Sequence, residues 1–331
     1  MSAQDVFPGR RGCTATLAVP GDKSISHRAI LLNAIAQGTA AIRNLGPGQD
    51  VRSGIGCMRQ LAVEIDEQDG LYRVHGEGFA GLTESRPPLD CGNSGTTARL
   101  LSGILAGQPF TSVLVGDRSL SARPMARVAR PLRLMGAGVT GETLPLTIRG
   151  GQLHGIEYAP EVASAQVKSC VLLAGLLASS ATTVIEPVPT RDHTERLLRA
   201  QGARVEVDGP SITVHPPRQL KAVDIDVPGD FSSAAFWLVA GLLFPDATVT
   251  AVNVGMNESR TGLLDVLAEM GARIDVQNRR DVGGEPVADL TAHGGELRGT
   301  SVGGTIIPRL IDEVPILAVA AALASGETTI R

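Results

Sequence analysis

The chain has 331 residues, 43% of them hydrophobic and 19% charged, which is enough apolar material to fill the cores of two ordinary domains. Lys plus Arg number 30 against 34 Asp plus Glu, and aromatics make up only 3%, so neither a phosphate-tracking basic stripe nor a base-stacking platform is expected and nucleic acid is excluded as an expected partner. The four cysteines, Cys13, Cys57, Cys91 and Cys170, show neither disulfide-scaffold density nor a CxxC pair, which fits a reducing cytoplasm.

Near the start, Arg10 and Arg11 precede a short segment broken by Pro20 and then charged at Asp22 and Lys23, which does not read as an export signal. The most apolar runs, 234–244 and 314–324, fall well under the ~20 residues of a membrane-spanning helix. They read as buried core helices, and no membrane partner is expected.

In chain order, one pattern recurs about every 70 residues: small polar or acidic residues lead into a Leu/Ala-rich run. The copies are GDKSISHRAILLNAIA at 21, GNSGTTARLLSGILA at 92, SAQVKSCVLLAGLLA at 164, GDFSSAAFWLVAGLL at 229 and IDEVPILAVAAALA at 311. Each predicts an N-capped helix that is apolar on most faces, hence buried. A second helix follows in the unit and ends in Gly-Ala before a strand: RLMGAGV at 133, RAQGARV at 199 and AEMGARI at 268. Glycine there suits a left-handed C-cap. Thr111 to Val115, Thr182 to Ile185 and Thr248 to Val252 predict strands. The unit therefore reads strand, helix, strand, helix, strands. Four units are complete, and the fifth reaches Arg331 after its first helix and the opening of a strand. Asp-Val-Pro-Gly-Asp at 226–230 predicts a domain boundary.

Standard motifs are mostly missing. There is no GxxxxGK[ST] and no HExxH, and the GxGxxG at Gly76 to Gly81 leads into Leu-Thr-Glu-Ser-Arg-Pro-Pro rather than a helix, which reads as a turn. The six histidines lack metal-ligand spacing, so no metal or other cofactor is expected.

The helix starts do collect anion-binding groups, at the end of a helix where unpaired N–H groups and the dipole favour a phosphate or carboxylate. Lys23, Ser24 and Arg28 mark the first, Asn93, Ser94, Gly95 and Thr96 the second, and Ser164, Gln166 and Lys168 the third. Gly95 would let an anion approach the backbone closely. A single such start would read as a plain cap, with Ser24, Asn93 or Ser164 capping; three repeated starts favour one shared anionic ligand. In GDRSLSARPMARV, Arg123 precedes Pro124, which restricts its backbone, and Arg suits bidentate binding of carboxylate or phosphate. In TRDHTERLL, Asp192 and Glu195 predict a capping box. Thr190, Arg191 and His193 remain there as ligand candidates beside an ordinary surface role. Asp312 and Glu313 open the fifth helix; adjacent helical positions face apart, so at most one belongs to a site, as a general base, the alternative being a dipole-pairing acid.

GDKSISHRA, LDCGNSGTTARL, GDRSLSARPM, SAQVKS, TRDHTERL, VPGDFSSAAF, NESRTGLLDVL and LIDEVPILAVAAAL resemble, in order, the landmark segments of 5-enolpyruvylshikimate-3-phosphate (EPSP) synthases from about residue 19 onward. SAQVKS and RDHTER are most similar to the bacterial branch with glyphosate-tolerant members, although NESR departs from its NxTR form. The resemblance implies an α/β (α+β) enolpyruvyl transferase-like fold of two domains built from βαβαββ units, with substrates in the cleft between them. The domains would be 21–227 and 1–20 plus 228–331. It further implies that Lys23, Ser24 and Arg28 hold shikimate 3-phosphate, Lys23 also reaching phosphoenolpyruvate, and that Gly95 and Arg123 contact phosphoenolpyruvate with Asn93 and Thr96 beside them. Ser164, Ala165 (through its backbone) and Gln166 would take the shikimate phosphate side, with Thr190 standing where many relatives have Ser; Asp312 would take the proton of the 5-hydroxyl and is the expected catalytic residue with Lys23, and His193 stays a substrate-binding candidate. A cytoplasmic transferase of aromatic amino acid biosynthesis is expected, monomeric at full length.

Relatives carry a Lys-Glu-Ser-Asp-Arg segment, an Asp-His-Arg helix start and a late Lys beyond the position of Arg331. The second domain is accordingly expected to be incomplete here, to expose Ile316, Leu317, Val319 and Leu323, and to leave a chain that binds shikimate 3-phosphate but turns over poorly. Two alternatives stand beside this reading. One is the related UDP-N-acetylglucosamine enolpyruvyl transferase, whose helix starts and loop cysteine signature GDKSISHR and SAQVKS do not match; the other is a non-catalytic shikimate 3-phosphate-binding remnant.

Overall fold

The computed structural model describes residues 13–331, so Arg10 and Arg11 lie outside it. The chain sorts into two units: Pro20–Val227 with Val282–Glu285, and the segment ending at Val19 with Pro228–Asp281 and Pro286–Arg331.

The strand β1 (Thr14–Ala18) belongs to the second unit, and the first unit then runs through three repeats. Repeat one holds α1 (Lys23–Ala34), β2 (Gln37–Arg43), α2 (Gln49–Gln60), β3 (Glu64–Gln68) and β4 (Leu71–Glu77). Repeat two holds β5 (Leu89–Asp90), α3 (Gly95–Ala106), β6 (Thr111–Val115), α4 (Arg118–Ser121), α5 (Ala126–Leu134), β7 (Gly138–Thr140) and β8 (Leu146–Arg149). Repeat three holds β9 (Glu157–Tyr158), α6 (Ala165–Gly175), β10 (Thr182–Ile185), α7 (His193–Ala200), β11 (Val205–Asp208) and β12 (Ser211–Val214). The strand β13 (Ile225–Asp226) returns to repeat one.

Each repeat makes a four-stranded sheet of one topology: β13-β2-β4-β3, β5-β6-β8-β7 and β9-β10-β12-β11. The first pair in each is parallel and the other two pairs antiparallel, with Ala40 opposite Val74, Leu114 opposite Leu146 and Val184 opposite Ile212. A parallel pair needs a crossover, which α3 and α6 supply in repeats two and three, whereas in repeat one β13 comes to β2 from the far end of the unit. The long helix is the core of its repeat. Ile25 to Ala34 of α1 and Val167 to Gly175 of α6 are buried without a break, which is why these stretches are apolar on most faces instead of amphipathic.

The second helix of the unit ends as its sequence predicts. Gly136, Gly202 and Gly271 adopt φ of +108°, +89° and +86°, and the residue after each donates back into the last turn (Ala137 to Leu132 O, Ala203 to Leu198 O, Ala272 to Leu267 O). The equivalent end of α2 does the same with Ala62, at φ +69°. The GxGxxG segment is the end of β4 and a turn.

The second unit repeats the plan with α8 (Phe231–Leu243), β14 (Thr248–Gly255), α9 (Gly262–Glu269), β15 (Arg273–Val282) and β16 (Glu285–His293), in sheet order β1-β14-β16-β15. A parallel pair, β17 (Ser301–Val302) and β18 (Thr329–Ile330), follows with the short α10 (Ile307–Leu310) and α11 (Val314–Leu323). Ile316 and Leu317, expected to be exposed, are buried in the unit's core with Leu238 and Leu263. Ile316, Leu317 and Ala320 of α11 face that core, while Val319 and, at the last residue of the helix, Leu323 are exposed, as are Phe236 and Trp237 of α8. Among the described residues, no helix is long and apolar enough to cross a membrane.

Candidate active site

Three helix starts of the first unit are tied to one another by side chains. Asp22 caps α1 by accepting from Ile25 N at 2.9 Å, Ser94 caps α3 by accepting from Thr97 N at 3.1 Å, and Ser164 caps α6 by accepting from Val167 N at 3.4 Å. The caps of α1 and α3 are therefore Asp22 and Ser94, not Ser24, which is already inside α1, nor Asn93, which lies one residue before the cap position.

On α1, Lys23 is exposed and its Nζ lies 3.5 Å from Asp50 of α2. Arg28, one turn on, is only 3% exposed, and its Nη1 donates to Ser24 O at 2.9 Å, its Nε to Thr194 Oγ1 at 2.7 Å and its Nη2 to Ser169 Oγ at 2.8 Å. Burial lowers its pKa to about 10, with the Glu195 carboxylate opposing, so it stays charged at neutral pH. His27 between them is buried, 3.4 Å from Thr97 Oγ1 of α3, and burial together with Arg28 and Lys23 lowers its pKa to about 3.

At α3, Gly95 is the first helical residue and is buried. A Cβ there would come within 2.8 Å of Arg99 Nη1 and 3.5 Å of Arg123 Nη1, so glycine is what lets two guanidinium groups crowd the helix start. Arg123 Nη2 donates to Asn93 Oδ1 at 2.7 Å, and Asn93 Nδ2 donates to Asp117 Oδ2 at 2.6 Å. The hydrogen bond from Asn93 is the main reason the Asp117 carboxyl titrates below its ordinary range, with Leu120 N adding to it. Arg99 Nη1 donates to Gln166 Oε1 of α6 at 2.6 Å, and Gln166 Nε2 donates to Thr96 Oγ1 of α3 at 3.0 Å. Burial and then Arg123 and Arg127 lower the pKa of Arg99. Lys23, Ser24, Asn93, Gly95, Thr96, Ser164, Ala165 and Gln166 thus lie at helix starts bonded into one group, through Thr96–Gln166, Thr97–His27 and Arg28–Ser169, and Arg123 joins it from the bend between α4 and α5 through Asn93. An anion there meets several N–H groups and a local excess of guanidinium.

Other candidates stand apart. His193 is buried at the start of α7, its Nδ1 2.8 Å from Glu285 Oε1. Lys168, grouped by sequence with the third helix start, turns inward between Glu195 and Glu186, because it lies just over a turn beyond the cap on the buried side of α6. The expected capping box of α7 does not form: Asp192 makes no side-chain cap bond and pairs with Arg196 at 2.8 Å, while Glu195 is buried against Lys168. Burial raises the Glu195 pKa, with Lys168 opposing. Thr190 lies just before α7, its hydroxyl donating to Glu186 Oε1.

In the second unit, Asp312 has a side chain 45% exposed, with Arg260 Nη2 3.9 Å away. Glu313 faces the other way and is buried, accepting from Ser232 Oγ at 2.5 Å. Arg260 also donates to Ser232 Oγ at 2.6 Å and lies 3.9 Å from Asp230, which caps α8. Only one of the two adjacent acids is therefore open to solvent, but they do not open the helix as the sequence suggests: both lie in the turn before α11, which begins at Val314.

Sequence reasoning passed over Arg99, Arg260, Asp117 and Glu186. Arg99 could have been found, since it lies four residues beyond Gly95 and so above it on α3. Across β3 and β4, Glu64, Asp66 and His75 draw together on an exposed face, with His75 Nε2 3.1 Å from Asp66; antiparallel pairing, not sequence spacing, assembles them.

The model of the family EPSP synthase (3-phosphoshikimate 1-carboxyvinyltransferase) matches residues 9–331. The chain is 53% identical over 326 residues to the 3-phosphoshikimate 1-carboxyvinyltransferase of Desulforudis audaxviator, covering 97% of this chain and 76% of that one. It is 54% identical over 335 residues to the protein of the same name from Gloeobacter violaceus, covering 99% of this chain and 77% of the other. A solved EPSP synthase from Acinetobacter baumannii superposes with a TM-score of 0.91 at 46% identity, covering 98% of this chain and 75% of that one. The enolpyruvyl transferase NikO from Streptomyces tendae, at 20% identity, TM-score 0.78 and coverage of 98% and 76%, shares the fold. With its family match and its close relatives in agreement, the chain belongs to the EPSP synthase family.

Proposed function

We propose that the chain transfers the enolpyruvyl group of phosphoenolpyruvate to the 5-hydroxyl of shikimate 3-phosphate, giving EPSP and phosphate, and that the helix starts of the first unit hold the substrates. The observation that carries this reading is the bonding of three capped helix starts into one cationic group around Gly95 and Gln166. Lys23, Ser24, Ser164, Ala165 and Gln166 take the shikimate 3-phosphate side, with Thr190 beside them and Arg28 fixing the helix starts from within. Gly95 and Arg123 take phosphoenolpyruvate, and Asn93 aims Arg123 by its 2.7 Å bond. Asp312 accepts the 5-hydroxyl proton as that oxygen attacks C2 of phosphoenolpyruvate. A proton added to the methylene carbon gives a tetrahedral intermediate, which loses that carbon's extra proton and the phosphate to form the enol ether. Residues 21–227 and 1–20 plus 228–331 act as the two domains, and the protein works in the cytoplasm as a monomer at full length.

The test is calorimetric titration with shikimate 3-phosphate beside an assay of phosphate release. The reading expects binding, and release from phosphoenolpyruvate only when shikimate 3-phosphate is also present. No binding, or release from phosphoenolpyruvate alone, overturns it. Binding with no release under any condition is the signature of a non-catalytic remnant.

A further inference from the structure

We infer that Lys168, which is buried behind the helix starts, is a positioning residue for recognition of the phosphate of shikimate 3-phosphate: together with Glu186 it clamps the turn at Thr190. The inference rests on the substrate assignment proposed above for that turn.

Lys168 is 1% exposed, and a buried ammonium must have all its protons satisfied. Its Nζ donates to Glu195 Oε1 at 2.7 Å, Glu186 Oε2 at 3.0 Å and Thr190 O at 3.3 Å, which accounts for all three. Thr190 is held at every polar atom. Its N–H donates to Glu186 Oε2 at 3.4 Å, its hydroxyl donates to Glu186 Oε1, and its carbonyl accepts from Lys168. The turn runs between β10 and α7 and has no strand ladder to hold it, so the ion pair supplies the missing constraint. Because the hydroxyl proton is spent on Glu186, what the turn offers outward is set by where its backbone sits and by the adjoining Arg191.

Charge balance ties this clamp to the helix starts. Lys168 and Arg28 supply two cations, and Glu186 and Glu195 two anions. Ser169 Oγ and Thr194 Oγ1, 2.7 Å apart, both accept from Arg28, so α1, α6 and α7 share one buried polar set. Stability alone does not account for it, since buried ion pairs are commonly no more stabilising than apolar residues of the same volume. A fixed geometry at the phosphate-facing turn does.

The experiment compares the wild-type chain with Lys168→Met and with the double variant Lys168→Met/Glu195→Gln, which keeps one cation and one anion in balance should the single variant fold poorly. Affinities for shikimate 3-phosphate and for shikimate are read by calorimetry, and amide exchange is followed across 187–192. The double variant is expected to melt near wild type, to bind shikimate 3-phosphate at least 10-fold more weakly, to bind shikimate within twofold of wild type, and to lose protection in that segment. General loosening would instead weaken both ligands alike, which overturns the inference. So does a double variant that recovers full shikimate 3-phosphate affinity, because Lys168 would then only balance charge. If the wild type itself does not bind shikimate 3-phosphate, the substrate reading falls and takes this one with it; equal binding by wild type and variants removes this inference alone.

Discussion

Lys23→Met is the substitution that separates ligand binding from folding most cleanly. Lys23 is the first residue of α1, its side chain 56% exposed, and its ion pair with Asp50, itself 31% exposed, spans 3.5 Å. An exposed pair of that kind is worth about 0–1 kcal/mol, and solvent screening places it low in that range. Two further effects push back. A cation at a helix N-terminus opposes the dipole, so its removal returns about 0.3 kcal/mol or more. Asp50 lies in the first turn of α2, where that helix's own dipole keeps it favourable without a partner. The net cost to the fold is within about 0.5 kcal/mol, a melting shift of roughly 2 °C or less. To a phosphate or carboxylate, by contrast, the lysine offers a charge-assisted bond worth about 1.5–3 kcal/mol. That is a loss of roughly 10- to 150-fold in affinity for shikimate 3-phosphate. Calorimetric titration beside thermal unfolding reads both quantities on one preparation. An unchanged dissociation constant refutes the placement of Lys23 in the site, and a melting loss as large as a core truncation refutes the argument that the two effects separate.

Gly95→Ala places a methyl 2.8 Å from Arg99 Nη1 and displaces the donor that holds Gln166, so phosphoenolpyruvate or glyphosate should lose more affinity than shikimate 3-phosphate; equal losses would point to misfolding. Ala62→Gly relieves an alanine held at φ +69° and exposed at the end of α2, gaining about 0.5–1 kcal/mol after the flexibility of glycine in the unfolded chain is subtracted. A lower urea midpoint would count against that account. His27, with a pKa near 3 in the fold, takes up its proton in the unfolded chain first, near 6.5, so stability is full above that value and falls as pH drops toward 3. Between pH 7 and 5 the loss from this group is about 2 kcal/mol, and His27→Gln should remove it; urea titrations at the two pH values giving the same slope for both proteins would exclude the mechanism.

Much of the fold is written in local sequence. A helix that must be buried on all sides has to be apolar on all sides, and a helix that must stop before a strand does so most cheaply with glycine. Both marks repeat, and they locate α1, α3, α6, α8 and the ends of α5, α7 and α9. The mark is weaker where repeat one closes α2 with Ala62, since alanine there carries no signal of its own and only the surrounding fold holds it at positive φ.

The site was legible as chemistry but not as direction. Gln166 and Lys168 stand two positions apart on α6, which puts them about 200° apart around the helix. One meets Thr96 and Arg99 at the helix start, and the other meets Glu186 and Glu195 in the interior. Nothing within SAQVKS states which of the two is inward. That is decided by Glu186, eighteen residues on at the end of β10, and by Glu195 on α7, whose spacing from Asp192 suggests a capping box until Lys168 claims its carboxylate. The same holds for the three helix starts together. Each is an ordinary capped end in its own repeat, and they become one anion-binding group only because side chains such as Gln166 and Arg28 cross from one repeat to the next. A repeat architecture makes that crossing possible by setting equivalent helices side by side, while the residues that do the crossing are the ones in which the repeats differ.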